Sequence, residues 1–160
     1  MIRLKRIFLF SGFIVLTAIL GFIYFFVGHK YGVISVKIGN NIFDVEIART
    51  AGQQAKGLSF RESLDKNKGM LFDFGKETTP TFWMMGMKFP LDIIWINNGK
   101  IVGINKNVPA PTPGTPETAL KLYNAPESID KVLEINAGLS QEYGFKVGDV
   151  VDIKLATSSF

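Results

Sequence analysis

The chain has 160 residues, enough for one domain of ordinary size and an additional segment. It contains no cysteine, which excludes disulfides, thiol nucleophiles and cysteine-based metal sites. The formal charge of +4 would suit a nucleic-acid partner, but three of the 18 basic residues, Arg3, Lys5 and Arg6, lie at the start. The rest of the chain has 15 basic and 14 acidic residues, and the basic ones form no cluster in the sequence. We therefore expect no nucleic-acid partner.

The first predicted element is a transmembrane helix over residues 7–27, which carry no charge. A helix of this length spans about 31 Å, close to the hydrocarbon thickness of a bilayer. A cleaved signal peptide is the alternative, but its apolar region would be shorter and would end in small residues rather than in Phe25, Phe26 and Val27. We therefore expect an uncleaved anchor, and the basic residues within 1–6 predict a cytoplasmic N-terminus and an extracytoplasmic domain.

After a linker at residues 28–32, the domain is predicted to occupy residues 33–156. Residues 33–39 and 41–49 alternate apolar and polar side chains around a Gly-Asn-Asn turn, which predicts a β-hairpin. Thr50 can then cap a short helix that ends near Gly57.

Further strands are predicted over residues 69–75, 92–97, 100–106, 131–138 and 149–155. Asn97, Asn98 and Gly99 predict a tight turn, and a short helix is expected from Gly138 to Tyr143. Many short strands with two or three brief helices indicate a mostly β domain, either a sandwich or a partly open barrel.

The segment 107–117 contains four of the seven prolines, so it cannot be a central strand. We expect an extended surface loop, followed by a helix start at Thr115, Pro116 and Glu117. The loop is either a stiff connector or one wall of a binding site.

Several short motifs follow one another along the domain, at Gly57, Leu58, Arg61, 69–72, 82–84, 90–92, Leu133, Glu134, Gly138, Gly148 and Asp149. Their order resembles that of the domain-of-unknown-function family 192, a widespread and mainly prokaryotic family. The resemblance covers about residues 45–153 and implies a compact, mostly β fold of sandwich type, without implying an activity. Two places depart from the family pattern: Ser59 replaces a methionine, and Met85, Gly86 and Met87 replace Lys-Asn-Thr.

Three methionines, Met84, Met85 and Met87, lie within four positions. Thioethers suit Cu(I), but adjacent residues of a strand face opposite sides, and the single histidine, His29, is distant in sequence. Methionine is also a common filler of apolar cores beside aromatic rings. We therefore expect core or pocket lining here, with no metal and no cofactor.

Arg61, Asp92 and Glu134 are polar residues flanked by apolar ones. One interpretation is a structural ion pair between Arg61 and one of the two acids. Another is a carboxylate pair, Asp92 with Glu134, for general acid–base hydrolysis of a glycosidic bond. The sequence offers no Ser-His-Asp set for acyl transfer.

The sequence thus predicts a single-pass membrane protein whose outer domain is a binding or accessory module at the cell envelope. An envelope glycan, a peptide or another protein is the expected partner. The candidate binding residues are Arg61, Trp83, Asp92 and Glu134, near the proline-rich loop. The alternatives are a glycan-active hydrolase and an assembly protein without a small ligand.

Overall fold

The computed structural model describes residues 32–155, which form a mostly β domain. Its strands are β1 (Gly32–Ile38), β2 (Asn41–Ala48), β3 (Lys68–Thr78), β4 (Thr81–Phe82), β5 (Leu91–Asn97), β6 (Lys100–Val108), β7 (Tyr123–Asn124), β8 (Ile129–Asn136) and β9 (Val151–Leu155). Its helices are α1 (Ala51–Lys56), α2 (Leu139–Glu142) and a 3₁₀ turn (Glu117–Ala119). The predicted mostly β class with short helices is confirmed.

Seven strands form one continuous sheet in the order β6-β5-β8-β3-β2-β1-β9. All neighbours are antiparallel except β2 and β3, which are parallel and are connected through α1. The sheet curls until its two edge strands meet at one end, where Lys100 bridges Val150 and the Val151 amide donates to the Gly99 carbonyl over 2.9 Å. The architecture is therefore a half-barrel rather than two packed sheets.

The curl gives the sheet a concave face filled with apolar side chains. Strands from both halves of the sheet contribute, for example Val36, Phe43, Leu71 and Ile94. Leu139 of α2 enters the same cluster, so this short helix covers part of the interior. Alternate residues of each strand point into this core, as the period-2 pattern requires.

A second apolar cluster lies on the outer face, over the central strands β3, β5 and β8. Because both faces of β5 are covered, Leu91 to Ile96 are all buried, which explains an apolar run that does not alternate. A two-stranded ribbon of β4 and β7 lies outside the main sheet, and Phe82 and Tyr123 of that ribbon pack on this cluster. The sequence did not predict this ribbon.

Local signals in the sequence correctly placed the turns and the first helix. Thr50 and Gln53 form a reciprocal capping box at the start of α1. Asn98 and Gly99 adopt positive φ angles of 48° and 70° in the turn between β5 and β6. The segment after Val108 is a loop as predicted, but it ends in a 3₁₀ turn rather than an α-helix.

A buried carboxylate joins three parts of the domain. Asp92 of β5 is fully buried, and its Oδ1 accepts hydrogen bonds from the Asn107 amide at 2.7 Å and the Gly138 amide at 3.1 Å. Its Oδ2 accepts from the Ser140 amide at 2.8 Å and the Ser140 hydroxyl at 2.5 Å. The four donors connect β5 to the end of β6 and to the first turn of α2.

No helix within residues 32–155 is long and apolar enough to cross a membrane. The predicted transmembrane helix, residues 7–27, lies outside the described residues, and it stays a prediction.

Replacing Asp92 with alanine should destabilise the domain by roughly 3 kcal/mol or more, because three backbone amides and a hydroxyl would lose a charged acceptor while buried. Chemical denaturation of the variant and the wild type would measure this difference. Asp152→Asn is the matched control, since Asp152 is exposed in β9 and its ion pair with Lys154 lies at the surface. It should shift the unfolding free energy by less than about 1 kcal/mol. An equally small effect at Asp92 would contradict the structural role.

Candidate functional site

A pocket of about 230 Å³ opens on the outer face of the sheet, between α1, β3 and the segment that contains β4. Its wall is mostly aromatic and aliphatic, and one acidic side chain lies in it. The lining residues are Gln54, Ala55, Lys56, Gly57, Ser59, Phe72, Phe74, Pro80, Thr81, Phe82, Trp83, Met87 and Glu134. Such a concave, mainly apolar site with few polar groups is typical of small-ligand binding.

Glu134 is the acidic residue of this pocket. It occupies the middle of β8, directly opposite Met70 of β3 and Ile93 of β5. These neighbours are completely buried, and only 6% of Glu134 is exposed. Within residues 32–155 the Glu134 carboxyl has no hydrogen-bond or ion-pair partner. An acid in such a setting normally acquires a partner, so this one is available to a ligand.

Burial raises the pKa of the Glu134 carboxyl from 4.5 to about 8. Removal from water disfavours the ionised form, and no neighbouring charge contributes to the shift. Glu134 is therefore mostly neutral at pH 7 and can donate as well as accept a hydrogen bond.

Aromatic rings line the pocket together with the acid. Phe82 packs edge-to-face on Phe72, with ring centroids 4.9 Å apart, and on Trp95, with centroids 5.5 Å apart. Trp83 is 44% exposed although it lines the pocket. The packed rings fix the pocket wall, and the Trp83 ring offers an open surface for stacking.

Two turns are joined at the side of the pocket where Ser59 lies. The Ser59 hydroxyl donates to the Met85 carbonyl over 2.6 Å, and the Phe60 amide donates to the Gly86 carbonyl over 2.7 Å. Phe60 has a φ of 66°, which is unusual for a bulky residue. Its ring covers Gly86 closely, and a Cβ atom added to Gly86 would lie 2.8 Å from the ring. Only glycine fits opposite this ring.

The methionine-rich segment is core and pocket lining, as predicted. Met84 and Met87 are 4% and 8% exposed and belong to the outer apolar cluster, and Met87 also lines the pocket. The described residues contain no group of three or more His, Cys, Asp or Glu side chains arranged to hold a metal ion.

The predicted ion pair of Arg61 has a different partner from the expected one. Arg61 binds Glu46 of β2 through two hydrogen bonds, at 2.5 Å and 2.8 Å, rather than Asp92 or Glu134. Both side chains are about one-third exposed. The pair lies along a separate groove, which does not share a lining residue with the aromatic pocket. The proline-rich loop does not line the pocket either.

Asp92 and Glu134 do not form a carboxylate pair. In the ladder between β5 and β8, Asp92 is opposite Ile135, which points into the concave core, whereas Glu134 is opposite Ile93 on the outer face. Side chains directly opposite each other share a face, so the two carboxyls lie on opposite sides of the sheet. Of the four sequence candidates, the structure brings together Trp83 and Glu134.

Sequence reasoning missed the contribution of α1 and of the aromatic residues Phe72, Phe74 and Phe82 to this site. A signal was present, because Gly57, Phe72 and Phe82 belong to the motifs that carry the family resemblance. Their common location could not be deduced from the sequence, because they lie on three separate elements.

The fold and this pocket define a half-barrel β domain with a lone acid in an aromatic site. Residues 34–153 match the model of domain-of-unknown-function family 192, which is described as uncharacterized ACR. The chain belongs to this family.

Two solved structures are similar to the domain. One is a protein of Sinorhizobium meliloti 1021 whose name proposes a role as a transcription regulator. It matches with a TM-score of 0.69 and 28% sequence identity, and the match covers 78% of this chain and 95% of the Sinorhizobium chain. The other is a protein of unknown function from Novosphingobium aromaticivorans DSM 12444, with a TM-score of 0.67 and 33% identity over 78% of this chain and 86% of its own. Among curated proteins, none matches the chain.

The stability of the domain should fall as the pH rises from about 5 to about 8. In this window the unfolded chain has released the Glu134 proton while the folded domain, with a pKa of about 8, retains it, so folding takes up a proton. The full effect should be on the order of a few kcal/mol, and unfolding experiments at pH 5, 7 and 9 would measure it.

Glu134→Gln should flatten this pH dependence and should stabilise the domain most at pH 9. Glu127→Gln is the matched control, because Glu127 is exposed; it should keep the wild-type profile. An unchanged slope in Glu134→Gln would show that the carboxyl ionises as readily as in water.

Proposed function

We propose that the protein is a small-ligand binding module of the cell envelope, and that the ligand occupies the aromatic pocket between α1 and β4. The observation that carries the proposal is Glu134, a buried acid without a partner among the described residues, in a pocket lined by aromatic rings. A carboxyl in this state costs folding free energy, so the pocket is not explained by packing alone.

The residues that carry the family resemblance support the same location. Gly57, Phe72, Phe82, Trp83 and Glu134 all belong to those motifs and all line the pocket. They are far apart in the sequence and come from α1, β3, β4 and β8 with their adjoining turns. A binding site in this pocket would explain why these motif residues, which are distant in the sequence, lie together in the structure.

Hydrolysis of a glycan by a carboxylate pair has no geometric support. Asp92 is on the other face, and Glu134 is the single acidic residue among those lining the pocket. Retaining and inverting mechanisms both require two carboxyls flanking the bond, about 5–9.5 Å apart. We therefore favour binding over this reaction.

A role in transcription, which the name of the Sinorhizobium protein suggests for that protein, is not carried over to this chain. DNA binding requires a basic surface, whereas residues 28–160 carry a net charge of +1.

The envelope location rests on residues 7–27, the uncharged segment that follows three basic residues. We propose that this segment anchors the protein, with residues 1–6 in the cytoplasm and the domain outside. The domain would then bind a ligand of the envelope, such as a glycan fragment, a peptide or a metabolite, and present it to or withhold it from a partner protein.

A thermal-shift screen of the full chain in non-ionic detergent would test the binding proposal. The panel would contain sugars, short peptides, amino acids, small aromatic amines and alcohols, Cu(I) and Zn(II). A ligand at about 100 times its Kd should add roughly 2.7 kcal/mol, and hence several degrees in Tm. Trp83→Ala should abolish the shift, whereas Val147→Ala, which changes an exposed apolar residue outside the pocket, should retain it. A flat panel would favour an assembly role with a protein partner.

The absence of cysteine makes the topology directly testable. Leu4→Cys and Lys76→Cys each introduce a single thiol, and Lys76 is exposed on the domain. A membrane-impermeant maleimide should label Lys76→Cys in intact cells and Leu4→Cys after lysis. Labelling of Leu4→Cys in intact cells, or protection of Lys76→Cys, would contradict the proposed orientation.

A further inference from the structure

We infer that the pocket selects an organic ammonium ion, whose charged group pairs with Glu134 while its apolar body lies against the aromatic rings. This inference rests on the proposed binding function and specifies the chemical class of the ligand.

The rings favour a cation over a neutral or anionic group. The faces of Trp and Phe rings carry partial negative charge and attract ammonium ions that come within about 6 Å of the ring centroid. Trp83, Phe74 and Phe82 line the pocket together with Glu134. The ring faces and the ionised carboxyl of Glu134 both attract a cation.

The acid is suited to pairing because no described group already satisfies it. Met70 and Ile93, its neighbours on the adjacent strands, are apolar, so β3 and β5 present no charge to it at those positions. Among the lining residues, the other titratable group is Lys56 of α1, which is partly buried. Lys56 does not contribute to the pKa shift of Glu134, which is due to burial. A ligand cation would supply the first opposite charge at this carboxyl.

Binding then includes a proton transfer. Before binding, Glu134 is mostly a neutral acid at pH 7, because burial raises its pKa to about 8. The ammonium ion keeps its own protons, the carboxyl loses one, and that proton passes to the solvent buffer. The product is a carboxylate–ammonium pair with charge-assisted hydrogen bonds, and the opposite charge of the ligand lowers the carboxyl pKa.

Three probes of matched shape would test the class: benzylamine, which is a cation at neutral pH, benzyl alcohol, and benzoate. The chain has two tryptophans, so the indole N–H signals of Trp83 and the buried Trp95 can be followed by NMR in the full chain. Trp83 should report binding, and Trp95, whose indole is hydrogen-bonded to Asn105, should serve as the internal reference. We expect benzylamine to bind at least about tenfold more tightly than benzyl alcohol, with benzoate weakest.

The pH profile separates ion pairing from stacking. Between pH 6 and pH 7.5 the affinity for benzylamine should rise by up to about tenfold per pH unit, because the carboxyl must first lose its proton. Glu134→Gln should lose at least about tenfold in benzylamine affinity and the pH dependence, while its affinity for benzyl alcohol should change by less than about threefold. If Glu134→Gln does not fold, the pH profile of the unmodified chain still decides.

The outcomes distinguish the two proposals. If benzyl alcohol or benzoate binds as tightly as benzylamine, or if the benzylamine affinity does not depend on pH, the inference is overturned and the binding site remains. If Trp83 responds to none of the three probes but another compound of the screen binds in a Trp83-dependent manner, the ammonium class is likewise excluded. If no compound binds, both proposals fail together.

Discussion

The hydrogen bonds of Asp92 join β5, the end of β6 and α2, and the arrangement of these three elements depends on them. This carboxylate lies in the interior on the most buried strand, where an ionised acid without partners would strongly destabilise the fold. Its two oxygens accept three backbone amides and one hydroxyl, from Asn107, Gly138 and Ser140. Asn107 has a positive φ of 53°, uncommon for a residue other than glycine, and the bond to its amide stabilises that conformation. The bonds to Gly138 and Ser140 also place α2, whose Leu139 covers the concave core.

The contrast with Glu134 is what makes that residue informative. Both acids occupy central strands, and both are almost completely buried, 0% exposed for Asp92 and 6% for Glu134. One receives four hydrogen bonds, and the other receives none from the described residues. The hydrogen bonds of Asp92 lie on the inner face of the sheet. Glu134 lies on the outer face, where it lines the pocket. This difference between the two acids is the observation on which the binding proposal rests.

The sequence predicted the structural features that depend on residues close together along the chain. The period-2 strands, the Thr50 capping box and the turn at Asn98 and Gly99 all follow from local chemistry. The β4–β7 ribbon was missed because strands of two residues have no periodicity to detect. The register of β5 against β8 places Asp92 and Glu134 on opposite faces, and no feature within either strand specifies that register.

The ion pair of Arg61 is another feature that residues close together in the sequence do not determine. Its partner Glu46 is only 15 positions away, but the two meet because β2 runs past the turn after α1, and this arrangement depends on the parallel pairing of β2 with β3. The sequence indicated that Arg61 needed an acid and not which acid. The sequence also left a sandwich and a partly open barrel as alternatives, because the choice depends on a contact between distant residues, the one between Lys100 and Val150 that closes the sheet.

The two departures from the family pattern, Ser59 and residues 85–87, lie next to each other in the structure. Ser59 is hydrogen-bonded to Met85, and the ring of Phe60 fills the space that a side chain at Gly86 would need. The two turns are therefore in direct contact. The altered turns border the pocket, whereas Phe72 and Glu134 still match the family pattern. Under the proposed function, the family would share the part of the pocket around Glu134, and this chain would differ from the family pattern at the rim.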